Sequence, residues 1–221
     1  MTIFQFLDYA GVAVFAATGA LAASRKQLDI IGFIFFACLT GVGGGTVRDM
    51  LLDRNPVFWI ANANFLAVCV ATAIFLYWFA PMVDQRYRLL LWLDAAGISA
   101  YSVMGAHIGL VAGGSAPIAI GMGILTATFG GILRDTISGE PSVILRKEIY
   151  VTAALAGATL YVIMVSANVN PAISACLAVA VAFVIRGGAI QFNWTLPGYR
   201  HRIGRVVKQA HQDGQDRNDK V

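Results

Sequence analysis

Seven apolar stretches, each close to the length that crosses a bilayer, account for most of this chain. They run over residues 4–23, 30–52, 57–80, 89–112, 116–137, 148–166 and 170–186. Roughly 20 apolar residues in a helix span the hydrocarbon core. Inside that core a segment must satisfy its own backbone polar groups, which leaves helices and closed barrels. Runs this long, without two-residue alternation, specify helices. The expected fold is therefore an all-α membrane protein with seven transmembrane helices. Only 13% of the residues are charged, against about 25% in soluble domains, so the chain lacks the polar surface to cover itself in water. The transmembrane domain is expected over residues 1–186. Residues 187–221 read as a basic cytoplasmic tail, disordered in part.

The start of the chain, "MTIFQFLDYAG", lacks a basic leader and carries Asp8, so it does not read as a cleaved signal peptide. Cys38, Cys69 and Cys176 all fall in apolar runs without metal-ligand spacing. They read as packing residues, not as a disulfide framework.

Lys and Arg set the orientation. Of the 16 basic residues, 13 flank the spans on one side or lie C-terminal to the last; only Arg54 lies in a connector on the other. An inner-membrane protein with its N-terminus outside and its C-terminus cytoplasmic is expected. The same distribution explains the net charge of +4 as a topology signal, so no nucleic-acid partner is inferred.

The segment "GVGGGTVRDML" ends the second run, and "TFGGILRDTIS" occupies the matching place in the fifth. Gly44, Gly45, Arg48 and Asp49 recur 86 residues later as Gly130, Gly131, Arg134 and Asp135. The same offset carries Leu7, Asp8 and Gly11 to Leu93, Asp94 and Gly97, and Gly19 and Ala20 to Gly105 and Ala106. This is an internal repeat, with copies over 3–80 and 89–166 and a seventh helix over 170–186. Three spans per copy, an odd number, insert the copies with opposite topology. That architecture recurs in transport proteins, with the pathway near mid-membrane at the repeat interface.

Asp8, Arg48, Asp49, Asp94, Arg134 and Asp135 lie in or near spans. At about 3 kcal/mol each at a helix centre, six such charges would cost on the order of 18 kcal/mol without relief. Asp8 with Arg48, and Asp94 with Arg134, are the expected pairs. Asp49 and Asp135 are then left over, and a watery path lined this way favours cations. The plainer alternative is a pair of arginines that snorkel to the interface and clamp loops.

Gly43, Gly44 and Gly45, with Gly130 and Gly131 in the second copy, allow three roles. Small residues permit close helix approach, a broken helix lends carbonyls to a cavity, and a hinge gates. Close packing needs a small residue only every fourth position, so three in succession favour a broken, pathway-lining helix. His107 reads as a hydrogen-bonded core residue, and Trp59, Tyr77, Trp78, Tyr87 and Trp92 as an interfacial belt. Thr46, Thr126 and Thr128 fit either a path lining or back-bonding within their helices. No Walker loop, zinc signature or nucleophile elbow occurs, so no enzymatic activity and no resident cofactor is expected.

These motifs, "GGGTVRD" and "FGGILRD" in two three-span repeats before a seventh helix, resemble the prokaryotic branch of the trimeric intracellular cation (TRIC) channel family. That branch overlaps the glycine transporter domain proteins. The resemblance covers about residues 3–186. It implies a homotrimer with a pore in each protomer, second and fifth helices bent at the glycines, and permeant monovalent cations such as K⁺ and Na⁺. Phe129 stands where the first copy has Gly43, which implies a weaker second bend. The Lys-Glu-Val signature of the eukaryotic branch is absent. The nearest string is Lys147, Glu148 and Ile149, and no lipid role is transferred to it. Three functions remain in competition: a cation channel, a secondary transporter of a small amino acid such as glycine, and a non-transporting scaffold.

Overall fold

The computed structural model describes residues 3–83, 85–141 and 149–195. Most of the expected tail, with Lys147 and Glu148, lies outside them. Eight α-helices carry the described chain: α1 (Ile3–Arg25), α2 (Ile30–Leu51), the short α3 (Phe58–Ala61), α4 (Asn64–Phe79), α5 (Arg86–Val111), α6 (Ala116–Ile137), α7 (Val151–Ser166) and α8 (Pro171–Phe192). Six apolar segments reach membrane-spanning length, and α7 is a shorter apolar helix.

Helix ends follow local chemistry. Asp29 caps α2 by accepting from the Gly32 N–H at 2.8 Å, and Asn170 caps α8 through the Ala172 N–H at 2.8 Å, just before Pro171. Beyond α5 and α6, Gly113 (φ +80°) and Gly139 (φ +67°) take the left-handed conformation that closes a helix C-terminus. Two expectations shift here. The third run divides into α3 and α4 around Asn62, whose side chain accepts from the Asn64 N–H and donates to Tyr9. The last helix continues to Phe192, which places Arg186 inside it, 1% exposed, and not at a flank.

The inverted repeat is visible in the contacts. Phe4 stacks on His107, Gly11 faces Tyr101 and Gly97 faces Phe15, so α1 and α5 run antiparallel. The pair of contacts is also reciprocal, since a shift of one repeat converts each into the other. The same holds for α2 and α6. A methyl group at Gly44 would strike the carbonyl oxygen of Thr126, and one at Gly130 would strike that of Thr40. Helices α2 and α6 thus cross about a pseudo-two-fold axis, backbone against backbone. α1 and α5 are the most buried of the spanning segments and the α4 segment the least. Exposed Ile31, Phe35, Ile74, Phe75 and Trp78 leave an apolar outer face suited to lipid.

The glycines therefore do not break their helices. Both α2 and α6 are continuous α-helix across the motif, and the close-approach role prevails because each glycine has its own neighbour. Gly45 faces the Phe58 ring, Gly43 the side chain of Leu133, and Gly131 the Tyr150 hydroxyl. Three in succession serve three different contacts. The threonine hydroxyls bond back to their own helices: Thr46 to the Val42 carbonyl, Thr126 to Met122 and Thr128 to Ile124.

Gly44→Ala and Gly130→Ala should each lower stability by about 1–3 kcal/mol, because backbone must move to admit the methyl group. Gly121, with nothing within 4 Å of a new methyl, should gain up to ~1 kcal/mol as Ala from helix propensity. Unfolding in detergent, followed by helical circular dichroism, checks this. Equal effects at the three positions would show that the glycine contact does not set the crossing.

Candidate functional site

The Arg-Asp motif follows the crossing glycines by one helical turn: Arg48 lies four residues after Gly44, and Arg134 four after Gly130. Residues at that spacing share a helix face. The crossing therefore carries both arginines into the protein, where each is 1% exposed. Antiparallel packing puts the two motifs at opposite ends of the bundle, as two half-sites.

In the first half-site the Arg48 Nε donates to Asp49 Oδ1 at 2.9 Å, and its Nη2 lies 2.8 Å from the same oxygen. Asp49 also accepts from the Phe58 N–H at 2.9 Å and from Arg54 Nη1 at 3.3 Å. Trp59 donates to the Thr46 hydroxyl at 2.9 Å and so ties α3 to α2. Asp8, expected on Arg48, makes no ion pair among the described residues, and its buried Oδ1 has no hydrogen-bond partner. Asp8, Arg48, Arg54 and His107 face one cavity of about 500 Å³, closed on its apolar side by Phe4 and Met104. His107, expected in the core, is half-buried at this wall; its Nδ1 lies 2.8 Å from the Tyr161 hydroxyl.

The second half-site uses the same parts differently. Arg134 donates from Nε to Asp135 Oδ1 and from Nη1 to Asp94 Oδ1, both at 2.9 Å, so here the expected Asp-Arg pair forms. The Tyr150 ring brings its buried hydroxyl beside Gly131, and the Arg186 guanidinium lies 5.2 Å over that ring. Beyond the pair, Arg25 bridges to Glu140 at 3.0 Å and lies 4.7 Å over the Tyr87 ring. The space enclosed by Arg25, Tyr87, Arg134 and Glu140 is about 10 Å³, room for one water at most. Among the described residues, the Arg48 half-site opens on a vestibule, whereas the space against Arg134 is closed and a cavity of about 740 Å³ lies on the outer side of Arg25 and Tyr87.

The leftover carboxylate of the first half is therefore Asp8 and not Asp49. Arg54 arrives from the connector to share Asp49, an interaction that spacing along a helix does not reveal. Asp94 Oδ2, Arg134 Nη2 and the Tyr150 hydroxyl have no hydrogen-bond partner among the described residues. Incomplete satisfaction makes a buried polar cluster costly to hold.

Comparison with known proteins bears on this geometry. The sequence pattern of the family described as glycine transporter matches twice, over residues 5–81 and 91–166, once per repeat. The TRIC orthologue from Rhodobacter sphaeroides is 45% identical, with a TM-score of 0.86 over 88% of this chain and 100% of that one. The chain belongs to the TRIC family. A prokaryotic TRIC channel crystallised in 0.5 M KCl is 28% identical, with a TM-score of 0.82 over 88% of this chain and 98% of that one. The UPF0126 inner membrane protein YadS of Escherichia coli K12 is 36% identical over 202 residues, 88% of this chain and 95% of YadS. The helical architecture of the described residues, six spanning segments with the shorter α7, is thus the TRIC fold, and the chain is an integral membrane protein. Five residues of these half-sites were not singled out as site residues from sequence: Arg25, Arg54, Glu140, Tyr150 and Arg186. The repeat offset held a signal for two of them, since it pairs Glu140 with Arg54 and Arg25 with Val111, so only the second copy can form that ion pair.

Arg134→Ala would leave Asp94 and Asp135 buried without a countercharge and should cost about 3–5 kcal/mol. Arg54→Ala removes a partner whose side chain is 45% exposed and should cost less than about 1 kcal/mol. Thermal unfolding in detergent separates the two, and equal losses would argue against a buried pair at Asp94.

Proposed function

We propose that this protein is a monovalent cation channel of the TRIC family, conducting K⁺ or Na⁺ through a pore in each protomer of a homotrimer. The path runs from the Asp8 vestibule past the crossing at Gly43, Gly44, Gly45, Gly130 and Gly131 to the half-site of Asp94, Arg134 and Asp135. The observation that carries this reading is the 500 Å³ vestibule with an unpartnered Asp8 oxygen at its wall, in a chain 45% identical to a protein described as a trimeric intracellular cation channel. A carboxylate that its arginine has left uncompensated attracts cations into a water-filled space. The likeness to the inner membrane protein YadS favours the inner membrane, and the charge asymmetry of the connectors favours a vestibule outside and a cytoplasmic C-terminus.

One observation favours a second reading, transport of a small amino acid. Asp8 faces the vestibule together with Arg48 and Arg54, and opposed carboxylate and guanidinium groups suit a zwitterion. Purified protein in a planar bilayer under a KCl gradient decides between them. A channel gives discrete openings and a reversal potential near that of K⁺. Asp8→Asn should then lower unitary K⁺ conductance. A silent bilayer with accumulation of labelled glycine in liposomes would replace this reading with the transporter.

A further inference from the structure

The two half-sites are copies of one another, yet one opens on a cavity of about 500 Å³ and the other encloses about 10 Å³, behind Arg25 and Tyr87, which separate it from the 740 Å³ cavity outside. Both copies close their second helix with the same turn. The Arg54 N–H donates to the Asp49 carbonyl at 2.9 Å and the Glu140 N–H to the Asp135 carbonyl at 3.0 Å. Asp53 and Gly139 occupy the same left-handed position. The copies also end their first helix alike, with Gln27 and Gly113 left-handed. The backbone thus delivers the side chains of residues 25 and 140 to one mouth just as it delivers those of 111 and 54 to the other. At the second mouth they are Arg25 and Glu140, joined at 3.0 Å. At the first they are Val111 and Arg54, which cannot pair, and both line the open vestibule.

We propose that Arg25 and Glu140 are the latch of the second mouth, and that its release lets Arg134 part from Asp94 as Arg48 stands apart from Asp8. The open geometry of the second mouth is then already visible in the first. There the arginine rests on the aspartate that follows it, and the aspartate of the preceding helix is free to meet the path. The latch ties the end of α1 to the turn after α6. Its side chains are 30% and 20% exposed, so water and salt reach it, whereas the pair of Asp94 and Arg134 behind it is 1% exposed on both sides. An accessible pair in front of a buried one lets ionic strength act on the first and through it on the second. Tyr87, under the Arg25 guanidinium, gives that side chain its resting place in the closed form.

The inference rests on the pathway reading above, so its test is read without ion flux. Ser138 lines the closed space and takes a cysteine with little change of volume. Ser138→Cys is placed in a protein whose Cys38, Cys69 and Cys176 are replaced by alanine, with Leu91→Cys, also at that space, as the second probe. A membrane-impermeant methanethiosulfonate is applied from either face of sealed vesicles. The expected result is slow modification in the parent, about fivefold faster with Glu140→Gln. Exchange of the two charges, Arg25→Glu with Glu140→Arg, should return the slow rate. Raising KCl to about 1 M should speed the parent and leave Glu140→Gln unchanged. The same rate in the parent and in Glu140→Gln, at both probes, would overturn the latch, as would failure of the exchanged pair to slow modification. A responsive thiol in a protein that passes no current would count against the pathway reading and leave the latch standing.

Discussion

Backbone meets backbone where α2 and α6 cross, with Gly44 against the Thr126 carbonyl and Gly130 against that of Thr40. Any side chain at either position would push the helices apart, and the rest of the core is built around their closeness. In a bilayer, where lipid is as apolar as leucine, helices gain from contact chiefly by packing, and close approach increases it. The crossing also sets the position of charge. Each arginine follows its glycine by one turn, so the contact that joins the repeats turns Arg48 and Arg134 toward the protein and away from lipid.

Buried arginines then need anions, and each half-site meets that need with the aspartate next in sequence. Adjacent residues on a helix do not usually face one another; here the guanidinium reaches Asp49 or Asp135 through Nε. What distinguishes the halves is the other aspartate, on the first helix of each repeat. Arg134 spans from Asp135 to Asp94, whereas Arg48 stays with Asp49, which Arg54 and the Phe58 N–H also engage. A duplicated device has thus settled into two arrangements within one chain, with the vestibule beside one and a closed mouth beside the other. For a protein that moves ions, such inequivalence between otherwise matching ends is the structural basis on which a gate can be built.

Much of this was legible in the residues. The repeat, its inversion and the number of apolar runs all follow from run lengths and a constant offset, and the expectation that Asp94 pairs with Arg134 is met. The pairing of Asp8 with Arg48 was not, because the competing partner of the first half, Arg54, comes from a connector whose path only the folded chain defines. The expected helix break fails for a related reason. Three glycines in a row look excessive when judged against one neighbouring helix, yet Gly43, Gly44 and Gly45 face Leu133, Thr126 and Phe58 in turn. Arg186 read as a flanking charge because hydropathy falls after it, but α8 continues and places it over the Tyr150 ring.

The sequence by itself determined that the chain crosses a membrane as helices, that it does so as two inverted copies, and that charge and glycine recur together. Hydropathy and offset are local properties and need no coordinates. Tertiary structure alone decided which carboxylate each arginine holds, which end is open, and that the glycines join helices without breaking them. The contacts that distinguish the two halves include pairs 40 and 115 positions apart, Asp94 with Arg134 and Arg25 with Glu140. Nothing in the neighbouring sequence of either partner records the other.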